Sequence, residues 1–278
     1  MLWSINQSTE MRRTSTTLIL LTLFFLLSSH ELFLKSDSYF FEENSLGELY
    51  LINGTFDESE NVITRDRIIN PKILGPNYDF KPSSDDYYDK GEITFLKFKT
   101  GNTGTYVAGV STKPRVIELS GENFTTYLEH EGLTEVILDR KTKGISNQVA
   151  NEKYSKHVKA IFQVDERRTD NFSTQLDYPI EFIPLKNPYN LSVGDIMSFK
   201  LLYLGKPLGN QTVHISSRIN TDAKDGKETA LSTNDKGEVS FTISNIGHWY
   251  IATINMLERN EEDFDYESNW ATLTFEVK

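Results

Sequence analysis

Strict alternation of apolar and polar residues in the second half of the chain leaves little choice of fold. Over residues 212–219 the apolar set Val213, Ile215 and Ile219 alternates with Thr212, His214, Ser216 and Arg218. Residues 238–243 place Val239, Phe241 and Ile243 on one side, and residues 271–277 do the same with Ala271, Leu273, Phe275 and Val277. A period of two puts one side of a strand in a core and the other in water. Residues 197–204 and 249–254 are apolar on both sides, as central sandwich strands are. Gly, Asn and Asp punctuate the runs at 204–210 and 234–237, where turns need positive φ. Roughly seven short strands across 179–278 predict an Ig-like or transthyretin-like sandwich.

The first half is mixed. Residues 47–52, 93–99, 105–110 and 116–119 read as strands. Phe124, Tyr127 and Leu128 then stand at helical spacing behind Ser120, a suitable cap. A second short helix is predicted over 134–143, with a seam of Val136, Ile137 and Arg140, ending at Gly144. Alternation returns over 158–164, with Val158, Ala160, Phe162 and Val164 inward. The polar run 169–178 marks a boundary. The expected fold is mostly β, in two β-sandwich-like domains. An N-terminal β-rich domain with short helices spans 30–175, and the Ig-like/transthyretin-like sandwich spans 176–278.

Residues 1–29 stand apart. The basic pair Arg12-Arg13 precedes an apolar run over 18–27 and then Ser28-Ser29, the layout of a secretory signal peptide. The run is shorter than the roughly 20 residues of a bilayer span, while Leu27 is bulky for position −3 of a cut after Ser29. Two readings follow: a cleaved signal, with His30 opening the mature chain, or an N-terminal helix anchoring it to the membrane. Both predict a periplasmic or secreted domain, the second with inner-membrane attachment. Without Glu10, Arg12 and Arg13 the net charge moves from −11 to −12. Such a surface repels phosphate backbones, so no nucleic-acid partner is expected. The chain holds no cysteine, which removes thiolate catalysis, thiolate metal sites and disulfides.

His30-Glu31-Leu32-Phe33-Leu34, residues 124–133, and Glu152-Lys153-Tyr154-Ser155 with Lys159-Ala160 form a series of segments in order along the chain. Ile180-Glu181-Phe182, Asn187-Pro188, residues 202–208 and residues 270–277 continue it. Together they resemble the exported bacterial proteins of domain-of-unknown-function family 4198. Members are often labelled nickel-uptake accessory proteins. The resemblance therefore implies an envelope β-sandwich that handles a divalent transition metal (nickel, cobalt or copper) beside a transport or membrane-protein partner. Asn255-Met256 stands where relatives are expected to carry a histidine.

His30 is the sharpest metal candidate, because a free terminal amine and Nδ1 together chelate nickel or copper. His248, beside Trp249 and Tyr250, is its best remaining partner. By strand parity His157 and His214 should face solvent, and His130 should cap a helix C-terminus. Tyr87, Tyr88, Trp249, Tyr266 and Trp270 could line a glycan or peptide groove, though most should fill the core. No Gly-x-Ser-x-Gly elbow, phosphate-cradling glycine loop or cysteine nucleophile is present. The chain reads as a non-enzymatic accessory protein that binds or presents a transition metal. The alternative is a structural or interaction sandwich that binds protein or glycan without metal.

Overall fold

The computed structural model describes residues 31–219, 227–259 and 261–278. It is mostly β, with 51% of the described residues in strands and 13% helical. Residues 120–148 cluster as one compact unit, and the remaining described residues form the other. The small unit holds α1 (Gly121–His130) and α2 (Thr134–Thr142). Ser120 caps α1 as expected, its side chain accepting from the Asn123 amide. Gly144, at φ 67°, follows α2. Arg140 is buried, with Nη2 donating to the carbonyls of Ile145 and Gln148.

The large unit is built from three sheets. The first contains β1 (Glu31–Lys35), β3 (Leu46–Gly54), β7 (Ile93–Lys99) and β6 (Tyr87–Lys90), in that order. The second has ten strands. Along it run β15 (Thr229–Ser232), β14 (Thr212–Arg218), β17 (Gly247–Glu258), β18 (Tyr266–Val277), β10 (Ala150–Val164), β8 (Gly104–Thr112), β4 (Ile68–Gly75) and β5 (Tyr78–Phe80). Two further strands, β2 (Phe40–Phe41) and β9 (Arg115–Leu119), also pair with β10. The third sheet holds β11 (Ile180–Pro184), β12 (Ile196–Tyr203), β13 (Lys206–Pro207) and β16 (Glu238–Thr242).

Side-chain parity on the central sheet shows how the layers stack. Val158, Ala160, Phe162 and Val164 of β10, with Tyr106, Ala108 and Val110 of β8, pack with Leu32, Leu34, Leu49 and Leu51 of the first sheet. The intervening residues Ile161 and Val107 face the other way. They pack with Phe182, Phe199 and Leu201 of the third sheet and Leu273 and Phe275 of β18. The central sheet is thus covered on both faces. β10 and β18 pair in parallel from Glu152↔Tyr266 to Ala160↔Thr274. Strands from before and after residue 175/176 therefore share one hydrogen-bonded sheet.

Burial on both sides overturns one expectation from alternation. His157 and Lys159 lie on the face opposite Val158, and both are buried, at 3% and 1% exposure. Water is excluded there because the connector over residues 165–179 and β11 lie across that face. Lys159 Nζ donates to Glu181 Oε2 at 2.8 Å, to the Phe182 carbonyl at 3.0 Å and to the Thr174 carbonyl at 3.3 Å. Glu181 in turn accepts from the amides of Leu176 and Asp177 at 3.0 and 3.1 Å. Two residues along β10 from Ile161, Gln163 Nε2 donates to the carbonyls of Val164, Asp165 and Arg167. The run 169–178 is tied down by Thr169 Oγ1, the Thr174 carbonyl, the Leu176 and Asp177 amides and the Tyr178 hydroxyl, while the side chains of Asp170, Ser173, Gln175 and Asp177 stay exposed. Gly109 allows the fit: a Cβ there would come within 2.3 Å of Leu176 Cδ1 and 2.8 Å of Tyr178 Cε2.

Burial pushes the Lys159 pKa down and Glu181 pulls it back up. Removing either partner leaves a buried charge without its counter-ion, which costs about 3–5 kcal/mol. Urea unfolding should therefore show Lys159→Met destabilised by that order. The double variant Lys159→Met/Glu181→Gln should recover part of the loss. Additive losses would mean that the two side chains do not act as a pair.

Candidate functional site

The residues with chemical potential fall into a buried network and an open cleft. In the network, His157 Nδ1 lies 2.9 Å from Ser111 Oγ, and Nε2 lies 3.2 Å from Asn269 Oδ1. The amide oxygen only accepts, so Nε2 carries the proton and Ser111 donates to Nδ1. Ser155 Oγ donates to the same Asn269 oxygen at 3.1 Å. In a separate contact between the same two strands, Glu152 Oε1 accepts from Ser268 Oγ. Ser111, Ser155, His157 and Asn269 are all buried. A serine donating to a histidine is a hydrolase-like contact, but here it satisfies groups inside the core. The family-like residues Glu152, Ser155, Lys159 and Glu181 all belong to these internal bonds.

The other described histidines also have partners. His214 was expected in solvent, but its side chain is only 18% exposed, with Nδ1 2.8 Å from Glu228 Oε1 beside β15. His130 sits in the last turn of α1, with Nδ1 2.9 Å from Glu131. His248 lies between Arg218 and Glu276 in the strand register. Its Nε2 is 3.9 Å from Glu276 Oε2 and its ring meets Tyr39 edge-on at 5.2 Å. Burial lowers its pKa, opposed first by the Glu276 carboxylate, while the Lys35 ammonium adds to the lowering.

His30 lies outside the described residues. His248 and Glu276 supply one imidazole and one carboxylate, short of the four donors of a closed transition-metal site. Among the described residues no three His, Cys, Asp or Glu side chains gather to hold a metal ion. The described residues near His248 therefore do not by themselves fit a metal centre.

The cleft is open, about 580 Å³ in volume, and drawn from separate segments. Phe40 and Phe41 form one wall, Asp165, Glu166 and Arg168 another, and Glu276 and Lys278 close the end. The remaining wall is the 3-10 turn Pro188–Asn190, started by Pro188 and capped by Asn187, whose side chain accepts from the Tyr189 amide. Tyr189 is locked in place: its hydroxyl donates to the Ile161 carbonyl and its ring meets Phe40 edge-on at 5.1 Å. Arg168 donates Nε to the Tyr189 carbonyl at 3.1 Å and Nη1 to the carbonyls of Asp165 and Glu166. A second hollow, about 320 Å³, adjoins the first and shares Arg168, Asn190 and Leu191.

Sequence reasoning missed this cleft. Its residues come from four distant stretches with no shared periodicity, and only Asn187-Pro188 hinted at a turn there. Of the aromatics proposed for a groove, Tyr87, Trp249, Tyr266 and Trp270 are buried. Tyr88 is half-buried and stacks on Phe95, 5.0 Å between centroids, on a strand of the first sheet. Among the described residues no helix is long and apolar enough to cross a membrane.

Burial pushes the His157 pKa down from 6.5 to about 4, against the Asn269 hydrogen bond and the Glu181 charge that raise it. The unfolded chain therefore takes a proton that the folded chain refuses. This contribution to stability is complete above about pH 6.5 and is lost as pH falls toward 4, by up to ~1.4 kcal/mol per pH unit. Unfolding free energies measured from pH 7 to 4.5 should fall more steeply for the wild type than for His157→Gln. Equal slopes would show that His157 is not held neutral.

Comparison with solved structures returns remote likenesses. Escherichia coli alpha-2-macroglobulin activated by porcine elastase is 10% identical, with 88% of this chain and 20% of that chain covered, at a TM-score of 0.24. Salmonella alpha-2-macroglobulin reacted with methylamine is 10% identical over 88% of this chain and 15% of its own, at 0.25. The D0-D1 domain of Intimin is 10% identical over 88% and 97%, at 0.21. The chain spans a fifth or less of these two macroglobulins, and at such scores none of the likenesses carries an argument. No curated protein matches the sequence. A family model does match, over residues 27–256: the chain belongs to the family described as "Domain of unknown function (DUF4198)".

Proposed function

We propose that this chain is an exported, non-enzymatic interaction module that holds an extended segment of an envelope partner, protein or glycan, in the Phe40–Tyr189 cleft. One contrast supports the reading. The polar side chains of Glu152, Ser155, His157, Lys159 and Glu181 are engaged in internal bonds. The cleft instead leaves aromatic and charged groups facing an open hollow. Two adjoining hollows sharing one wall suit a ligand longer than a single small molecule. Tyr189 and Arg168 are pinned to backbone carbonyls, so the walls are ordered before a ligand arrives, which lowers the entropic cost of binding. Export follows from the leader pattern at Arg12-Arg13 and residues 18–29.

A photo-crosslinking residue at Asn190, an exposed position on the cleft rim, tests this in the exported full chain. The expected result is one discrete adduct that vanishes when Phe40→Ala is added. An adduct indifferent to Phe40, or none, would refute the cleft reading. A calorimetric titration with Ni²⁺ provides the opposing arm: sub-micromolar binding lost in His248→Ala would favour metal handling instead.

A further inference from the structure

Resting on the cleft reading above, we propose that the Phe40 end of the cleft is a cation subsite that takes a lysine or arginine side chain from a peptide partner. The chain already places an ammonium there. Lys278 Nζ stands 3.5 Å from the centroid of the Phe40 ring, well within the ~6 Å over which a cation is drawn to an aromatic face. Lys278 is itself exposed, so its side chain can be displaced. The ring beneath it is fixed. Phe40 pairs with Gln163 in the β2–β10 register, and the Tyr189 ring packs edge-on against it.

Charge around the subsite has the matching sign. Four carboxylates line the cleft, those of Glu42, Asp165, Glu166 and Glu276, against two cations, Arg168 and Lys278. Arg168 is directed at backbone carbonyls through Nε and Nη1. Lys278 is the group a ligand would replace. With it displaced, an arriving ammonium meets one aromatic face and a carboxylate majority, while an anionic ligand meets repulsion. Glu276 is held in place: its Oε2 accepts from the Tyr39 amide at 3.1 Å and lies 3.9 Å from His248 Nε2. The subsite thus selects a basic peptide over a neutral glycan or an acidic segment.

The probe is capped tetralysine, titrated calorimetrically against the full chain at low ionic strength, with capped tetraglutamate as control. Lys278→Ala removes the internal competitor and should bind tetralysine about threefold tighter than wild type, and Phe40→Leu about tenfold more weakly, the range of a cation–ring contact. Glu276→Gln keeps the acceptor for Tyr39 but loses the charge, and should also weaken binding. This variant keeps the test decisive if Phe40→Leu fails to fold by circular dichroism. Equal binding by wild type and all three variants would overturn the subsite, leaving only attraction to an acidic surface. So would the absence of any heat with Lys278→Ala. A Phe40-dependent adduct at Asn190 alongside either result would reject the cation subsite alone and leave the cleft reading standing.

Discussion

Lys159 meets Glu181 where neither can reach water, with side-chain exposures of 1% and 3%. A pair so placed gives weak net stabilisation, because desolvating both charges offsets much of their attraction. Its effect lies in what cannot move without stranding one of them. Glu181 opens the third sheet's edge strand and collects the amides of Leu176 and Asp177. Lys159 sits in mid-strand on β10 and also holds the carbonyls of Thr174 and Phe182. Connector, third sheet and central sheet are thereby fixed in one register.

The cleft inherits that register. The connector leaves β10 at Asp165, at positive φ, and carries Arg168 toward the Tyr189 carbonyl. Tyr189 reaches back to the Ile161 carbonyl on β10, in the same odd-numbered series as Lys159 and Gln163. Phe40 arrives on a two-residue strand of the central sheet itself, paired with Gln163 and Val164. The central sheet, the connector and the turn after β11 thus converge at the end of β10 and frame a cleft that no single one of them could form. The buried ion pair acts on the cleft through placement.

Much of the fold was legible in the sequence. Alternation located β14, β16 and β18, and the helical spacing of Phe124, Tyr127 and Leu128 located α1 behind its Ser120 cap. It misled on β10, where one apolar face was taken to imply one wet face. His157 and Lys159 look solvent-facing by parity, and only their partners Asn269 and Glu181, more than a hundred and some twenty residues away respectively, reveal otherwise. Residues 169–178 read as a boundary because their exposed side chains are polar, while the backbone groups of Thr174, Leu176 and Asp177 that tie the run to Lys159 and Glu181 leave no mark in one dimension. The family-like segments were recognisable, but their meaning was not, since Lys159 and Glu181 show their pairing only in the folded chain. The cleft had no signature because its aromatic, cationic and acidic members come from four unrelated stretches.

Native-state hydrogen exchange at the Leu176 and Asp177 amides tests the central claim most directly. Both lie in the stretch between the 3-10 turn Asp170–Ser173 and β11, yet both donate to a buried carboxylate. They should exchange as slowly as amides in β10, and Lys159→Met should speed them together with Tyr189 while leaving β3 and β7 protected. Exchange at loop rates in the wild type, or a Lys159→Met profile unchanged across residues 170–190, would show that the ion pair does not hold the connector and that the cleft is shaped by something else.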